Sequence, residues 1–159
     1  MATRTGASMN WGGLDRAMER AAKKLSNRTA LLSAIGEAMI SGVQQRFTDQ
    51  VDPQGNAWKP TRRGGHILSD TARLRNSIDK AVTNDGVMVG SNLPYALIHQ
   101  MGGTIKPKNG DYLRFRTAIG FVSVKQVVID ARPYLGLSQD DIEEIRETIA
   151  DFLGEAFRG

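Results

Sequence analysis

The chain contains no cysteine, few aromatic residues and no long run of apolar residues. Without cysteine it can have neither a disulfide framework nor a thiolate metal site, which fits a reducing cytoplasm. No segment approaches the roughly 20 consecutive apolar residues that a membrane span needs, so we expect no membrane contact. The segment MATRTGASMNWGG at the start lacks the apolar stretch of a secretory signal, and none is predicted.

Histidine is also scarce, since the chain has only His66 and His99. They do not share a His-Glu-x-x-His spacing, and no P-loop or Gly-x-Ser-x-Gly motif occurs. We therefore predict no catalytic residue, no metal ligand and no cofactor. His99 lies in a short apolar segment, where a hydrogen-bonded structural histidine is more common than a catalytic one. A small hydrolase acting through either histidine is a minor alternative.

Composition predicts one globular domain, residues 1–159, with 40% hydrophobic and 24% charged residues. The net charge of +4 permits contact with nucleic acid without requiring it. Basic residues cluster at Arg62–Arg63 and at Arg114 and Arg116. These clusters have two interpretations, solvated surface charge or phosphate binding.

Three segments have the periodicity of amphipathic helices. The first covers residues 11–25, and the second begins near Thr29 as N-cap and runs to Phe47. Gly36 and Gly42 in the second helix are expected to allow another backbone to approach closely. The third follows Ser138, which forms a capping-box pattern with Asp141.

The middle of the chain predicts short elements and long loops. A loop over 52–68 precedes a short helix over 71–78 with Asp70 as N-cap, and a hairpin joins 79–83 to 87–91. Pro94 opens a short helix that Gly102-Gly103 ends, and a loop covers 103–111. Residues 112–116 and 121–129 predict a second hairpin. The fold class is therefore α+β, with N- and C-terminal helices packed on one face of a small antiparallel sheet.

Two loop segments contain residues with a candidate docking role. Trp58 follows the turn Asp52-Pro53-Gln54-Gly55, and a large aromatic there covers either its own core or a partner. Arg132 precedes Pro133 and is therefore extended. Its guanidinium is suited to bind a carboxylate across an interface or, alternatively, an acidic residue of the last helix. Tyr134 should pack beside it with its hydroxyl in water.

Four segments carry a family resemblance, in order along roughly residues 40–138. They are RFTDQVDPQGNAWKP, RGGHILSDTARLRNSI, GSNLPYALIHQMGG and ARPYLGLS. Together they resemble the phage virion morphogenesis family, the tail completion and head–tail joining proteins of Mu-like and P2-like phages. The last two are also similar to the Tyr-Ala…His…Gly and Ala-Arg-Pro-Tyr signatures of neck proteins.

The resemblance implies a non-enzymatic virion structural protein that assembles in the host cytoplasm. It would complete the tail as a tail terminator in the neck, forming a ring, commonly a hexamer, between the tail tube and the head–tail connector. DNA would pass through the lumen without sequence readout. The loops 52–68 and 103–111 would become ordered on assembly. The alternative is a basic nucleic-acid-binding domain using Arg62, Arg63, Arg114 and Arg116. The residues expected to form an interface or structural motif are Trp58, Tyr95, His99, Gly102, Arg132, Pro133 and Tyr134.

Overall fold

A computed structural model describes residues 28–61, 64–84, 86–117 and 119–158. Within these ranges the helices are α1 (Arg28–Asp49), α2 (Arg73–Asn76), α3 (Ala96–Met101) and α4 (Gln139–Arg158). The strands are β1 (Ile78–Val82), β2 (Val87–Ser91), β3 (Gly103–Ile105), β4 (Leu113–Thr117), β5 (Gly120–Val124) and β6 (Val127–Ile129). The predicted α+β class is confirmed. The helix predicted over 11–25 lies outside the described residues.

The long helices α1 and α4 pack against each other, and α1 also covers the inner face of the β1–β2 ribbon. The predicted apolar stripe of α1 is buried or half-buried along its length. A Cβ at Gly36 would lie 2.7 Å from the Lys80 side chain, and one at Gly42 would clash with the Asp141 carboxylate. Both glycines therefore allow close approach, as predicted, although side chains rather than backbone occupy the space.

In the described residues the strands form three separate antiparallel ribbons, β1–β2, β3–β6 and β4–β5. The hairpin of β1 with β2 agrees with the prediction to within one residue. Residues 121–129 divide into two strands, and β6 returns to pair with β3 rather than extending the second hairpin. The predicted loop 103–111 was therefore wrong in its first three residues, because they form β3.

Two predicted helix caps are wrong. Thr29 lies inside α1. The helix predicted over 71–78 is only the four-residue α2, and its N-cap position is Ala72 with φ 53°, not Asp70. A left-handed residue cannot continue a right-handed helix, which limits α2 at its start. The capping box is confirmed, because Ser138 Oγ accepts the Asp141 N–H at 3.1 Å while Asp141 Oδ2 accepts the Ser138 N–H at 2.6 Å.

The hydrophobic core joins α1 to the two long connecting segments, 52–68 and 131–135. Phe47 is 1% exposed and lies at the centre. Its ring centroid is 5.6 Å from that of Trp58 and 5.2 Å from that of Tyr134. The remaining members of this core cluster are Val43, Ile67, Leu74, Ile78 and Ala96. Contacts among these aromatic rings therefore hold the segments 52–68 and 131–135 against α1, although neither segment has extended regular secondary structure.

Candidate functional site

The turn before Trp58 is closed by the Asp52 side chain. Asp52 Oδ1 accepts the backbone N–H of Gln54 at 2.9 Å and of Asn56 at 2.8 Å, and Gly55 has φ 83°. The Asn56 side chain is the main cause of a lowered Asp52 pKa. This is the turn predicted from Asp52-Pro53-Gln54-Gly55, and it directs the chain back towards the core.

Trp58 belongs to its own subunit's core. It is 5% exposed and contacts Phe47 edge-to-face, with ring planes at 78°. Its Nε1–H donates to the Pro133 carbonyl at 2.9 Å. Of the two interpretations of this residue, the structure shows the one in which the indole covers the core. The bond to Pro133 also ties the 52–68 loop to the 131–135 segment.

Arg132 is 7% exposed, and its guanidinium binds backbone carbonyls rather than a carboxylate. Nε donates to Lys59 O at 3.0 Å, Nη1 to Asp130 O at 3.4 Å and Nη2 to Pro60 O at 3.5 Å. Of the two interpretations of Arg132, pairing with an acidic residue of the last helix is therefore wrong. Through these bonds Arg132 joins the 52–68 loop to the 131–135 segment within the subunit, and a contact of Arg132 across an interface stays a prediction.

Tyr134 is fully buried at 0% exposed, and its hydroxyl donates to Ala96 O at 2.9 Å. The prediction that this hydroxyl lies in water is wrong, and burial raises its pKa. The Gln100 side chain forms hydrogen bonds to the backbone of the same segment. Its Oε1 accepts the N–H groups of Tyr134 and Leu135, and its Nε2 donates to Leu135 O, each at 3.0 Å. Sequence reasoning missed Gln100, because a polar residue on a short helix shows no distinctive pattern.

His99 lies on α3 with its ring edge-on to Tyr95, at a centroid distance of 6.0 Å. Its Nδ1 is buried and has no hydrogen-bond partner among the described residues, so the predicted hydrogen-bonded histidine is wrong at this atom. Burial, and then the charge of Arg132, lower the His99 pKa. These three residues line a cavity of about 310 Å³, while His66 is exposed and not among its lining residues. In the described ranges no group of His, Asp and Glu is placed to hold a metal ion.

Gly102 ends α3 where β6 passes very close. Its φ is 70°, and a Cβ there would lie 2.7 Å from Ala131 N and 3.0 Å from Ile129 O. Only glycine fits both the backbone conformation and the space. The Gly102-Gly103 stop was predicted, but the passing strand was not.

Arg46 and Asp141 form a buried ion pair that sequence reasoning missed. Each side chain is 5% exposed, and Arg46 Nη1 also donates to Tyr134 O at 3.0 Å. Burial lowers the Arg46 pKa. The available signal was the capping-box Asp141 together with an arginine on the apolar side of α1. The pair joins α1, α4 and the 131–135 segment.

Several large apolar side chains remain exposed, which is typical of a protein-contact surface. Leu97 and Met101 of α3 are 71% and 70% exposed, and Met88 of β2 is 63% exposed. In the β4–β5 hairpin, Ile119 is 96% exposed and Phe121 is 86% exposed. No helix within the described ranges is both long and apolar enough to cross a membrane.

The described residues therefore form an α+β fold in which most of the predicted site residues hold its loops together. Several large apolar side chains remain exposed on its surface. Such an arrangement is typical of proteins that act through protein contacts. A sequence model of the phage virion morphogenesis family matches residues 9–154, and the chain belongs to that family.

Two relatives extend this result. The chain is 36% identical to the Mu-like prophage FluMu G protein 2 of Haemophilus influenzae, over 86% of each chain. It is 27% identical to the "Putative capsid assembly protein G" of Escherichia phage Mu, over 81% of each chain. No solved structure matches it. The resemblance seen in the sequence is confirmed, and the protein has a role in phage virion morphogenesis. Membership of this family favours a structural rather than an enzymatic role.

Proposed function

We propose that this protein is a non-enzymatic component of the neck of a tailed phage. It completes the tail as a tail terminator and joins it to the head, as a closed ring of six copies. Family membership supports a role in particle assembly. The observation that carries the proposal is the β4–β5 hairpin, whose strands pack chiefly on each other and whose Ile119 and Phe121 are almost fully exposed.

A two-stranded hairpin is only marginally stable in water unless it packs on something else. Exposed apolar side chains at the end of such a hairpin are stabilised when a neighbouring protein covers them. In a ring, each subunit offers one surface to the next copy and receives a different surface from the previous one. The β4–β5 hairpin is the surface that each subunit offers to the next copy.

The proposed partners are other copies of this chain, the tail tube and the head–tail connector. The exposed Leu97 and Met101 on α3 form a second apolar surface, which suits contact with one of the flanking rings. DNA passes through the lumen without sequence readout, which the modest net charge of +4 permits. Trp58, Arg132, Pro133 and Tyr134 act indirectly, because they hold the 52–68 loop, the 131–135 segment and α3 together.

Cryo-electron microscopy of particles from the phage that encodes this chain tests the proposal. The expected result is a six-fold ring of this protein between tail tube and connector. Finding the chain as isolated copies, at the tail tip or on the capsid surface would overturn it. Particles lacking the protein should have unjoined heads and tails as a second readout.

A second candidate function is nucleic-acid binding through the β4–β5 hairpin. Arg114 and Arg116 alternate along β4, so both point to the same face, and both are exposed. Arg62 and Arg63, the other residues of this hypothesis, lie outside the described residues. Binding to duplex DNA that weakens steeply between 50 and 200 mM salt, as expected for several phosphate contacts, would favour this function.

A further inference from the structure

The β4–β5 hairpin presents two chemically different faces. On one face, Leu113 lies opposite Val124 and Phe115 opposite Val122. Three residues of this apolar face, Phe115, Val122 and Val124, line a groove of about 630 Å³ together with β6. The opposite face carries Arg114 across from Ser123 and Arg116 across from Phe121. This second face, here called the arm face, is both basic and aromatic, and all four of its residues are exposed.

Charge is separated between this region and the last helix. Residues 103–125 contain five basic residues and one acidic residue, a net charge of +4. The helix α4 contains seven acidic and two basic residues, a net charge of −5. Four of its exposed carboxylates recur at intervals of four, three and four residues and so share one helix face: Asp140, Glu144, Glu147 and Asp151.

This acidic stripe leads into a groove of about 430 Å³ between the end of α1, the turn at 51–55 and the start of α4. Its lining residues include Asp49, Asp52, Asp140 and Glu144, together with Pro53. The one basic residue among the lining residues, Arg46, is paired with Asp141. Leu137, which is 48% exposed, precedes the lining residue Ser138 and adds an apolar rim.

Within the described residues, no ion pair joins the arm face to α4 in the same subunit. We propose that the arm face of one subunit docks in the acidic groove of the next copy in the ring. Arg114 and Arg116 would bind the carboxylates of α4, and Phe121 would cover Pro53 and Leu137. This inference rests on the proposed ring, and it names the two surfaces that close it.

The spacing of the two charge sets supports this pairing. Arg114 and Arg116 lie two residues apart on a strand, about 7 Å. Asp140 and Glu144 lie one turn apart on a helix, about 6 Å. A second copy explains Phe121 and Ile119 better than duplex DNA does, because phosphate contacts make no use of exposed apolar side chains. The two surfaces differ, so the contact is head-to-tail and leaves one surface of each kind for further copies, as a closed ring requires.

Cysteine trapping provides a direct test, because the natural chain has no cysteine. The Arg114→Cys variant is mixed with the Glu144→Cys variant under mild oxidation, both at high protein concentration and within assembled particles. We expect a disulfide-linked dimer containing one copy of each variant. The matched control replaces Arg114→Cys by Asp79→Cys, at an exposed position on β1. It should give about tenfold less product, because a disulfide needs Cα atoms within about 7 Å.

Charge reversal provides the second test. Arg114→Glu with Arg116→Glu, or Asp140→Lys with Glu144→Lys, should each lower ring incorporation about tenfold, since like charges then meet at the contact. Combining all four substitutions in one chain should restore it. Melting temperatures close to that of the natural chain show that the variants still fold.

The outcomes separate the two proposals. A ring in the neck that still forms with the reversed arm, and that gives no trapped dimer, overturns this docking and leaves the neck function standing. If the variant with Arg114→Glu and Arg116→Glu loses binding to duplex DNA, and charge reversal on α4 does not restore ring incorporation, then the arm face contacts DNA. This result also overturns the docking proposal. Trapping and charge rescue in purified protein support the docking even if the ring lies elsewhere in the particle.

Discussion

Arg46 in α1 and Asp141 in α4 form a buried ion pair that links the two long helices of this protein. The pair is not isolated, because Asp141 also accepts the Ser138 N–H and Arg46 also donates to Tyr134 O. Buried charges are tolerated only when such additional hydrogen bonds satisfy them. One structural contact therefore joins the capping box of α4, the apolar face of α1 and the 131–135 segment.

Removing one partner of this pair should destabilise the fold strongly. Asp141→Asn leaves the Arg46 charge buried without a counterion, which we expect to cost about 3–5 kcal/mol in the free energy of unfolding. Urea denaturation measures it. Lys59→Met is the matched control, because the Lys59–Asp130 pair is largely exposed and should be worth at most about 1 kcal/mol. Equal losses in the two variants would show that burial of the Arg46 pair does not matter.

Trp58 should contribute to stability through both its ring and its Nε1–H. Trp58→Ala is expected to cost about 3–5 kcal/mol, as for other large buried aromatic residues. Trp58→Phe keeps much of the ring but leaves the Pro133 carbonyl without its donor, at about 1 kcal/mol or more. Phe121→Ala, at an exposed position, is the control and should change the unfolding free energy little. An unchanged melting temperature in Trp58→Ala would contradict the structural role.

His99 should make stability dependent on pH. Its pKa in the folded state is lowered by burial, so the unfolded chain binds the proton more readily. The neutral ring's contribution is complete above the unfolded pKa of about 6.5, and it is lost as pH falls from there towards the lowered folded value.

His99→Gln should flatten this slope, whereas the exposed His66→Gln should retain it, as measured by thermal melting from pH 7.5 to 4.5. A slope that persists in His99→Gln would assign it to other groups. In phage carrying these variants we expect particle formation to continue, or to fail only through folding. A folded and assembled His99→Ala variant that had lost a hydrolytic activity would instead show that the protein is an enzyme.

Gly102 should not tolerate a side chain. Gly102→Ala places a Cβ against Ala131 and Ile129 at a positive φ, which we expect to cost about 1–3 kcal/mol or more. Gly90→Ala is the control, since a Cβ there meets nothing within 4 Å. It should be neutral or stabilising by a few tenths of a kcal/mol. Chemical denaturation measures the free energy of unfolding of both variants. Equal values would mean that β6 can move away from α3.

Local patterns in the sequence determined much of the fold. The apolar stripe of α1, the Ser138–Asp141 capping box, the β1–β2 hairpin and the glycine stop of α3 all depend on residues close together in the chain. Period, turn chemistry and capping act over a few residues, so they can be read without knowledge of the rest of the molecule. The order of family motifs was also sufficient to indicate phage virion morphogenesis.

Only the tertiary structure decided how distant segments satisfy one another. The sequence predicts a contact role for Arg132 and Tyr134, but the partners of both side chains are backbone carbonyls, which carry no residue-specific signal. The pairing of β3 with β6 and the bond from Arg46 to Asp141 join residues far apart in the chain. Such contacts depend on which buried polar groups meet when the core closes, because each must then find a partner. Sequence periodicity reports which side of an element is buried and does not report what lies against it.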